Sequence, residues 1–195
     1  MCRRYRNKRI TPVVSVLILT FIFSLTSFSS FADSAFADSA LAEAVAKNSL
    51  PKGIITLDGR MAPPLILKDM EENIFDLSKF KGQWVFVHFW ATWCGPCRRE
   101  MPTIQAMSEK FEDTRLKIVL VNTAESEDTI FNFLGIVAPD LNPLLDTDGL
   151  ATEAWQPRGL PATFFVSPNG KLRYLALGGR DWNKKEYLKF LEQFK

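Results

Sequence analysis

The apolar positions of this 195-residue chain change period several times, and each change marks an element. WVFVHFW, Trp84 to Trp90, is an unbroken run of aromatic and β-branched residues, the pattern of a strand covered on both faces. LKIVLVNT, Leu116 to Thr123, is a second such run. Between them a helix is predicted over residues 97–111, and after the second run another over 128–134. Pro139 and Pro143 mark a loop before a short strand at Leu144 to Asp146. Thr163 to Ala176 reads as a hairpin turning at Pro168, Asn169 and Gly170. Leu65 to Asp69 and Asn73 to Leu77 read as another, around Met70, Glu71 and Glu72, followed by a helical turn that Gly82 ends. Residues 183–194 carry Tyr187, Leu188, Leu191 and Phe194 at helical spacing. The alternation of strands and helices predicts an α/β fold.

Ahead of these elements the pattern is of another kind. Arg3, Arg4, Arg6, Lys8 and Arg9 precede an uncharged stretch from Ile10 to Ala32, whose centre, Val13 to Phe28, carries five hydroxyl residues. With the A-x-A site at Ala35, Phe36 and Ala37, residues 1–37 are expected to be a secretory signal peptide cleaved near Ala37. The alternative is an uncleaved membrane anchor through residues 10–32, which approach the roughly 20 residues that span a bilayer. Either way the globular part is expected in the periplasm or another extracytoplasmic space. Residues 38–56 read as a linker and 57–195 as one domain, expected to be a monomer. At 47% hydrophobic and 12% aromatic content there is material for one packed core. Only FADSA FADSA, Phe31 to Ala40, repeats. Loss of residues 1–37 removes five of 24 basic and one of 22 acidic side chains, leaving 19 and 21. So balanced a domain has no evident basic face, which argues against nucleic acid as a partner.

The cysteines change the picture most. Cys2 lies in the basic leader, so the domain keeps Cys94 and Cys97, inside FWATWCGPCRREMP, Phe89 to Pro102. Cys94 sits where a strand ends and a helix starts, so free backbone N–H groups and the positive end of the helix dipole can stabilise a thiolate. It is the expected nucleophile. Cys97, one helical turn on, faces the same side and is the expected resolving thiol for a mixed disulfide on Cys94. Pro96 suits a first helical turn, and Gly95 leaves space for a partner's backbone. Structural zinc needs four ligands, yet only the single His88 joins the two cysteines, so no metal is expected. A purely structural disulfide closing so small a loop would restrict the unfolded chain little. A reactive dithiol remains, with no cofactor, in a compartment where a disulfide persists unless another protein keeps reducing it.

VFVHFWATWCGPCRREMP, Val85 to Pro102, resembles the active-site segment of thioredoxin-like proteins. The E-x-P at Glu100 and Pro102, together with GLPATFFVSPNGKL (Gly159 to Leu172) and LGGRDW (Leu177 to Trp182), is similar to the TlpA/ResA branch of extracytoplasmic thiol reductases. The resemblance implies a thioredoxin fold, a central mixed sheet flanked by helices with an added N-terminal β-hairpin at Leu65 to Leu77. It implies a cis-proline at Pro161 lying against the cysteine pair, Leu160 presenting backbone to an extended substrate, and Glu100 as an active-site glutamate. Trp93 is expected to shield Cys94 and join the docking surface. His88 occupies a position that is a buried Asp in thioredoxin and commonly Asn in TlpA-type proteins. Two readings stay open: a packed core residue with one or two hydrogen bonds, or a proton acceptor for Cys97.

Other positions read as structure. Arg98 and Arg99 form a solvated helix face, and Asp146 to Gly149 a turn and not a calcium loop. Phe131, Phe133, Phe164 and Phe165 are expected in the core. The expected activity is thiol-disulfide exchange that reduces disulfides of exported proteins, with a membrane-bound thiol electron donor restoring the dithiol. The reducing direction rests on the resemblance. The sequence leaves open whether the substrate is a cytochrome c precursor, a copper-centre assembly protein or misoxidised exported proteins. The alternatives are a thiol oxidant of the same fold and a copper-handling module that uses the thiols as soft Cu(I) ligands.

Overall fold

The computed structural model describes residues 50–195, so the expected signal peptide or anchor, its cleavage site and Cys2 lie outside the described residues. Among the described residues there are eight strands: β1 (Ile54–Thr56), β2 (Ile66–Lys68), β3 (Ile74–Asp76), β4 (Trp84–Trp90), β5 (Leu116–Thr123), β6 (Leu144–Asp146), β7 (Ala162–Val166) and β8 (Leu172–Leu177). Four α-helices among the described residues join them: α1 (Gly95–Phe111), α2 (Glu127–Val137), α3 (Leu150–Trp155) and α4 (Lys185–Leu191). The six-stranded sheet runs β1-β8-β7-β4-β5-β6, with β4, β5 and β6 parallel and β7, β8 and β1 each antiparallel to its neighbour. This is the expected mixed sheet flanked by helices. The hairpin β2–β3 stands apart as a two-stranded sheet and bridges back through Asp69 and Leu144.

β4 lies between β7 and β5 and is buried along almost its whole length, hence its lack of polar alternation. Its residues still alternate between two cores. Phe86 and Trp90 pack with Cys97, Met101, Ile104, Ile130 and Phe190, beneath α1, α2 and α4. Val85, Val87 and Phe89 pack on the opposite face with Leu65, Phe75 and the α3 residue Trp155. Trp90, Trp155 and Trp182 are fully buried. Each such side chain contributes about 1.5–3 kcal/mol or more through area removed from water. By the same alternation His88 falls on the Phe86 and Trp90 face, under α1.

Two expectations are corrected. Residues 54–56, read as linker, form the edge strand β1, pairing Ile54 with Ala176 and Thr56 with Tyr174. Phe131 is exposed, because α2 turns Ile130, Phe133 and Leu134 inward and leaves Phe131 on its outer face. The expected turn at Asp146 to Gly149 is present and leads straight into α3. The predicted helical turn after β3 is a 3-10 turn, Leu77–Phe80, and the C-terminal helix tightens to 3-10 geometry at Glu192–Phe194. Among the described residues no helix is long and apolar enough to cross a membrane.

Candidate active site

At the end of β4 the chain makes a turn in which the Cys94 amide donates to the Ala91 carbonyl at 3.2 Å, and α1 begins at Gly95. Cys94 is the helix N-cap, and its sulfur accepts from the Cys97 amide at 3.3 Å. One of the N–H groups that a helix start leaves unpaired, that of Cys97, therefore points at this sulfur. Cys94 and Cys97 are joined in a disulfide with their Cα atoms 5.2 Å apart. Cys94 keeps 5% exposure and Cys97 none, so Cys94 is the only member of the pair open to solvent.

The loop before the cysteines is held from outside. The Glu125 carboxylate, between β5 and α2, accepts from the Thr92 amide at 2.7 Å, from the Thr92 hydroxyl and from the Asn122 side chain at 2.8 Å. Arg98 donates to the Thr92 carbonyl at 3.2 Å while its guanidinium lies 4.8 Å from the centre of the Phe133 ring. Arg98 is thus exposed as expected, yet it also ties α1 to α2. Trp93, the residue before Cys94, is 68% exposed and presents its indole as open surface. Gly95 is crowded by nothing internal, since a Cβ there would meet only Arg99, at 3.7 Å.

Beneath the cysteines, α1 brings Glu100 onto the face of β4 that carries His88, and both side chains are almost fully buried. Glu100 Oε1 and His88 Nε2 lie 3.1 Å apart, but off the alignment of a hydrogen bond, and neither atom has another partner among the described residues. The second carboxylate oxygen accepts from the Arg180 amide at 2.8 Å. On the far side of the ring, His88 Nδ1 lies 2.8 Å from the Thr163 hydroxyl. A proton placed in the gap between Nε2 and Oε1 would satisfy two buried polar atoms at once. The expectation of one or two hydrogen bonds to His88 is therefore half of the picture, and its facing a carboxylate is the other half.

The Leu160–Pro161 bond is cis, Pro161 is buried and Leu160 is half-buried against the core that contains the cysteines. The Gly178 amide donates to the Pro161 carbonyl at 2.9 Å, and a Cβ on the adjacent Gly179 would fall 2.9 Å from Pro96 Cβ and 3.1 Å from the Pro96 carbonyl. Pro161, the 178–181 loop and the first turn of α1 thus stack in sequence. Arg99, Glu100, Arg180 and Asp181 line a groove of about 250 Å³ beside Pro96. A more apolar groove of about 280 Å³, lined by Met61, Leu65, Phe80 and Val85, sits at the opposite end of β4 and takes no part in this site. Among the described residues, no three His, Cys, Asp or Glu side chains cluster as metal ligands. Arg180, Thr163 and Glu125 escaped the sequence reading. LGGRDW had drawn notice only as a chain ending, and nothing in it announces contact with Glu100.

Residues 59–175 match the AhpC/TSA family. The chain belongs to the AhpC/TSA family. Within this family it is similar to thiol-disulfide oxidoreductase ResA of Bacillus subtilis, 35% identical over 121 residues that cover 62% of this chain and 68% of that protein. The ResA protein of Geobacillus thermodenitrificans is 29% identical over 137 residues, 70% of this chain and 78% of that one. A solved thiol:disulfide interchange protein from Bacteroides sp. superposes with a TM-score of 0.59 at 27% identity, covering 71% of this chain and 90% of its own. The chain is an enzyme of this kind, a thiol-disulfide oxidoreductase of the ResA type with a thioredoxin fold.

Proposed function

We propose that this enzyme works outside the cytoplasm, reducing disulfides of exported proteins, and that a membrane-bound thiol donor restores its dithiol. One observation carries the reading: the less buried cysteine caps a helix with its sulfur, while the fully buried one lies one turn from a carboxylate whose free oxygen faces an imidazole. Cys94, as a thiolate held by the helix start, attacks one sulfur of a substrate disulfide. The substrate S–S bond breaks, its other sulfur leaves as a thiolate, and a mixed disulfide joins Cys94 to the substrate. Cys97 then gives its proton to Glu100, with His88 sharing it, and attacks the Cys94 sulfur. The mixed disulfide breaks, the second substrate sulfur leaves, and the Cys94–Cys97 bond closes with two electrons passed to the substrate. Trp93, Gly95, Pro96, Leu160 and Pro161 supply the surface on which an extended substrate lies.

The basic, apolar and A-x-A pattern of residues 1–37 supports export, and the need for a separate donor follows from an oxidising compartment. A Cys97→Ser variant tests the mechanism by capture. It should accumulate adducts with exported proteins through Cys94, and thiol reductant should release them. Adducts formed equally well by a Cys94→Ser variant would overturn the assignment of roles. The direction is read separately from the state of the pair in the cell. A reductase keeps it mainly as the dithiol, whereas a mostly disulfide-bonded pool contradicts the reducing reading.

A further inference from the structure

His88 is the only histidine in the chain, and among the described residues its ring makes one well-formed hydrogen bond, the 2.8 Å contact between Nδ1 and the Thr163 hydroxyl. Nε2 faces Glu100 Oε1 off alignment, so that contact alone does not fix the ring. The sheet register brings His88 and Thr163 together. They are direct cross-strand partners on β4 and β7, so their side chains leave the same face side by side. The other neighbours on that face are apolar: Leu120 is the partner of His88 on β5, Ala176 is the partner of Thr163 on β8, and Phe165 follows along β7. Thr163 is 2% exposed, and its hydroxyl has no other hydrogen-bond partner among the described residues.

These surroundings decide which way the bond runs. A hydroxyl can donate or accept, whereas a neutral imidazole has one donor and one acceptor nitrogen. With the ring hydrogen on Nδ1, the Thr163 hydroxyl hydrogen would be buried without an acceptor, and Nε2 would turn a lone pair toward a carboxylate oxygen. With the hydroxyl donating to Nδ1, the ring hydrogen lies on Nε2, on the side of Oε1, and each of these buried groups has a counterpart.

We propose that Thr163 is a positioning residue for thiol-disulfide exchange: its hydroxyl donates to His88 Nδ1 and holds the ring with its hydrogen on Nε2, turned to Glu100. The inference rests on the reading of Glu100 above as acceptor of the Cys97 proton. The ring's share in that step is then a hydrogen bond from Nε2–H to the carboxylate. His88 keeps its own hydrogen, and Glu100 takes the one that leaves Cys97. Thr163 acts through the direction it gives the ring and not on a reacting atom.

The test uses the full chain without a polyhistidine tag, labelled with 15N in the histidine ring and kept in the disulfide state. Because the chain has one histidine, a two-bond 1H–15N correlation spectrum shows a single imidazole, and each ring nitrogen is read as protonated or bare. The unaltered protein at neutral pH should show Nδ1 bare and Nε2 protonated. A hydrogen on Nδ1, alone or together with one on Nε2, overturns the inference. Thr163→Val keeps the β-branched shape that suits a strand but removes the donor. In that variant the Nδ1 resonance should move toward that of a nitrogen without a hydrogen bond, and Thr163→Ser should restore it. Stopped-flow release of glutathione from a glutathione–Cys94 mixed disulfide should slow about fivefold in Thr163→Val, the effect of one ordinary hydrogen bond on a rate, and recover in Thr163→Ser. An unmoved Nδ1 resonance or a native release rate in Thr163→Val overturns the inference. If Thr163→Val fails to fold, the spectrum of the unaltered protein still decides the direction of the bond. Glu100→Gln keeps the two readings apart: native release in that variant removes Glu100 as the base, whereas the ring spectrum of the unaltered protein reports on Thr163 whatever base Cys97 uses.

Discussion

Two carboxylates, Glu100 and Asp146, are equally hidden, with 2% and 1% exposure, but their surroundings differ in kind. Asp146, at the end of β6, accepts from the Ala151 amide at 3.0 Å, the Thr152 amide at 2.8 Å and the Thr152 hydroxyl at 2.6 Å. Both oxygens are engaged by fixed donors, amides and a hydroxyl far too weakly acidic to give up a proton to a carboxylate. Glu100 has one fixed donor, and its other oxygen faces an imidazole without completing a bond. A buried charge saturated by amides and hydroxyls anchors a helix start. One left half-satisfied, beside a second proton carrier and one turn from a thiol, is placed to accept a proton.

Substitutions should separate the two. Asp146→Ala removes three hydrogen bonds to a buried charge and leaves their donors stranded, so it should cost about 3 kcal/mol of stability. The melting temperature should fall by roughly 10 °C. Release from a Cys94 mixed disulfide should stay normal per folded molecule, and a large loss of rate there would erase the distinction. His88→Asn should do the reverse and more mildly. Release should slow about tenfold, or about 1.4 kcal/mol of barrier, with little change in melting temperature. An unaltered rate would return His88 to the role of a packed core residue.

A third carboxylate marks the solvent-facing limit. At Asp69, beside the β2–β3 hairpin, burial pushes the carboxyl upward. Bonds from the Asn73 side chain and amide, the Glu71 amide and Asn142 outweigh that and hold it below its ordinary 3.8. A group depressed on folding stabilises above its unfolded value and loses that contribution as pH falls through the lower folded one. The protection of hairpin-loop amides from hydrogen exchange, relative to the unfolded chain at the same pH, should therefore fall as pH drops below about 4. In an Asp69→Asn variant that acid dependence should be absent, and its persistence would locate the acid-sensitive group elsewhere.

Much of this architecture was legible before any coordinates. β4 and β5 announce themselves because both faces are covered, and the cysteine pair because its spacing and proline fit a helix start. The three-residue β1 and six-residue α3 are too short to show a period. Phe131 was misplaced because a phenylalanine in a helix says nothing of its direction until its neighbours' facing is known. The pairing of His88 with Glu100 depends on how α1 lies across β4, which no local pattern encodes. Arg180 is harder still, since two of its acceptors, Lys52 and Gly53, are 128 and 127 residues away in sequence. Residues that build the fold advertise themselves by repetition, whereas those that tune the chemistry are single positions joined only by folding.

The central claim is that Cys97 gives its proton to the buried Glu100 as it resolves the mixed disulfide. It is tested most directly by comparing single-turnover release from Cys94 in the native protein and in Glu100→Gln, which preserves shape and the hydrogen bond from the Arg180 amide but cannot act as a base. The account predicts release slowed about a hundredfold at neutral pH, with attack by Cys94 on a substrate disulfide almost unchanged. Equal release rates in the two proteins would contradict it.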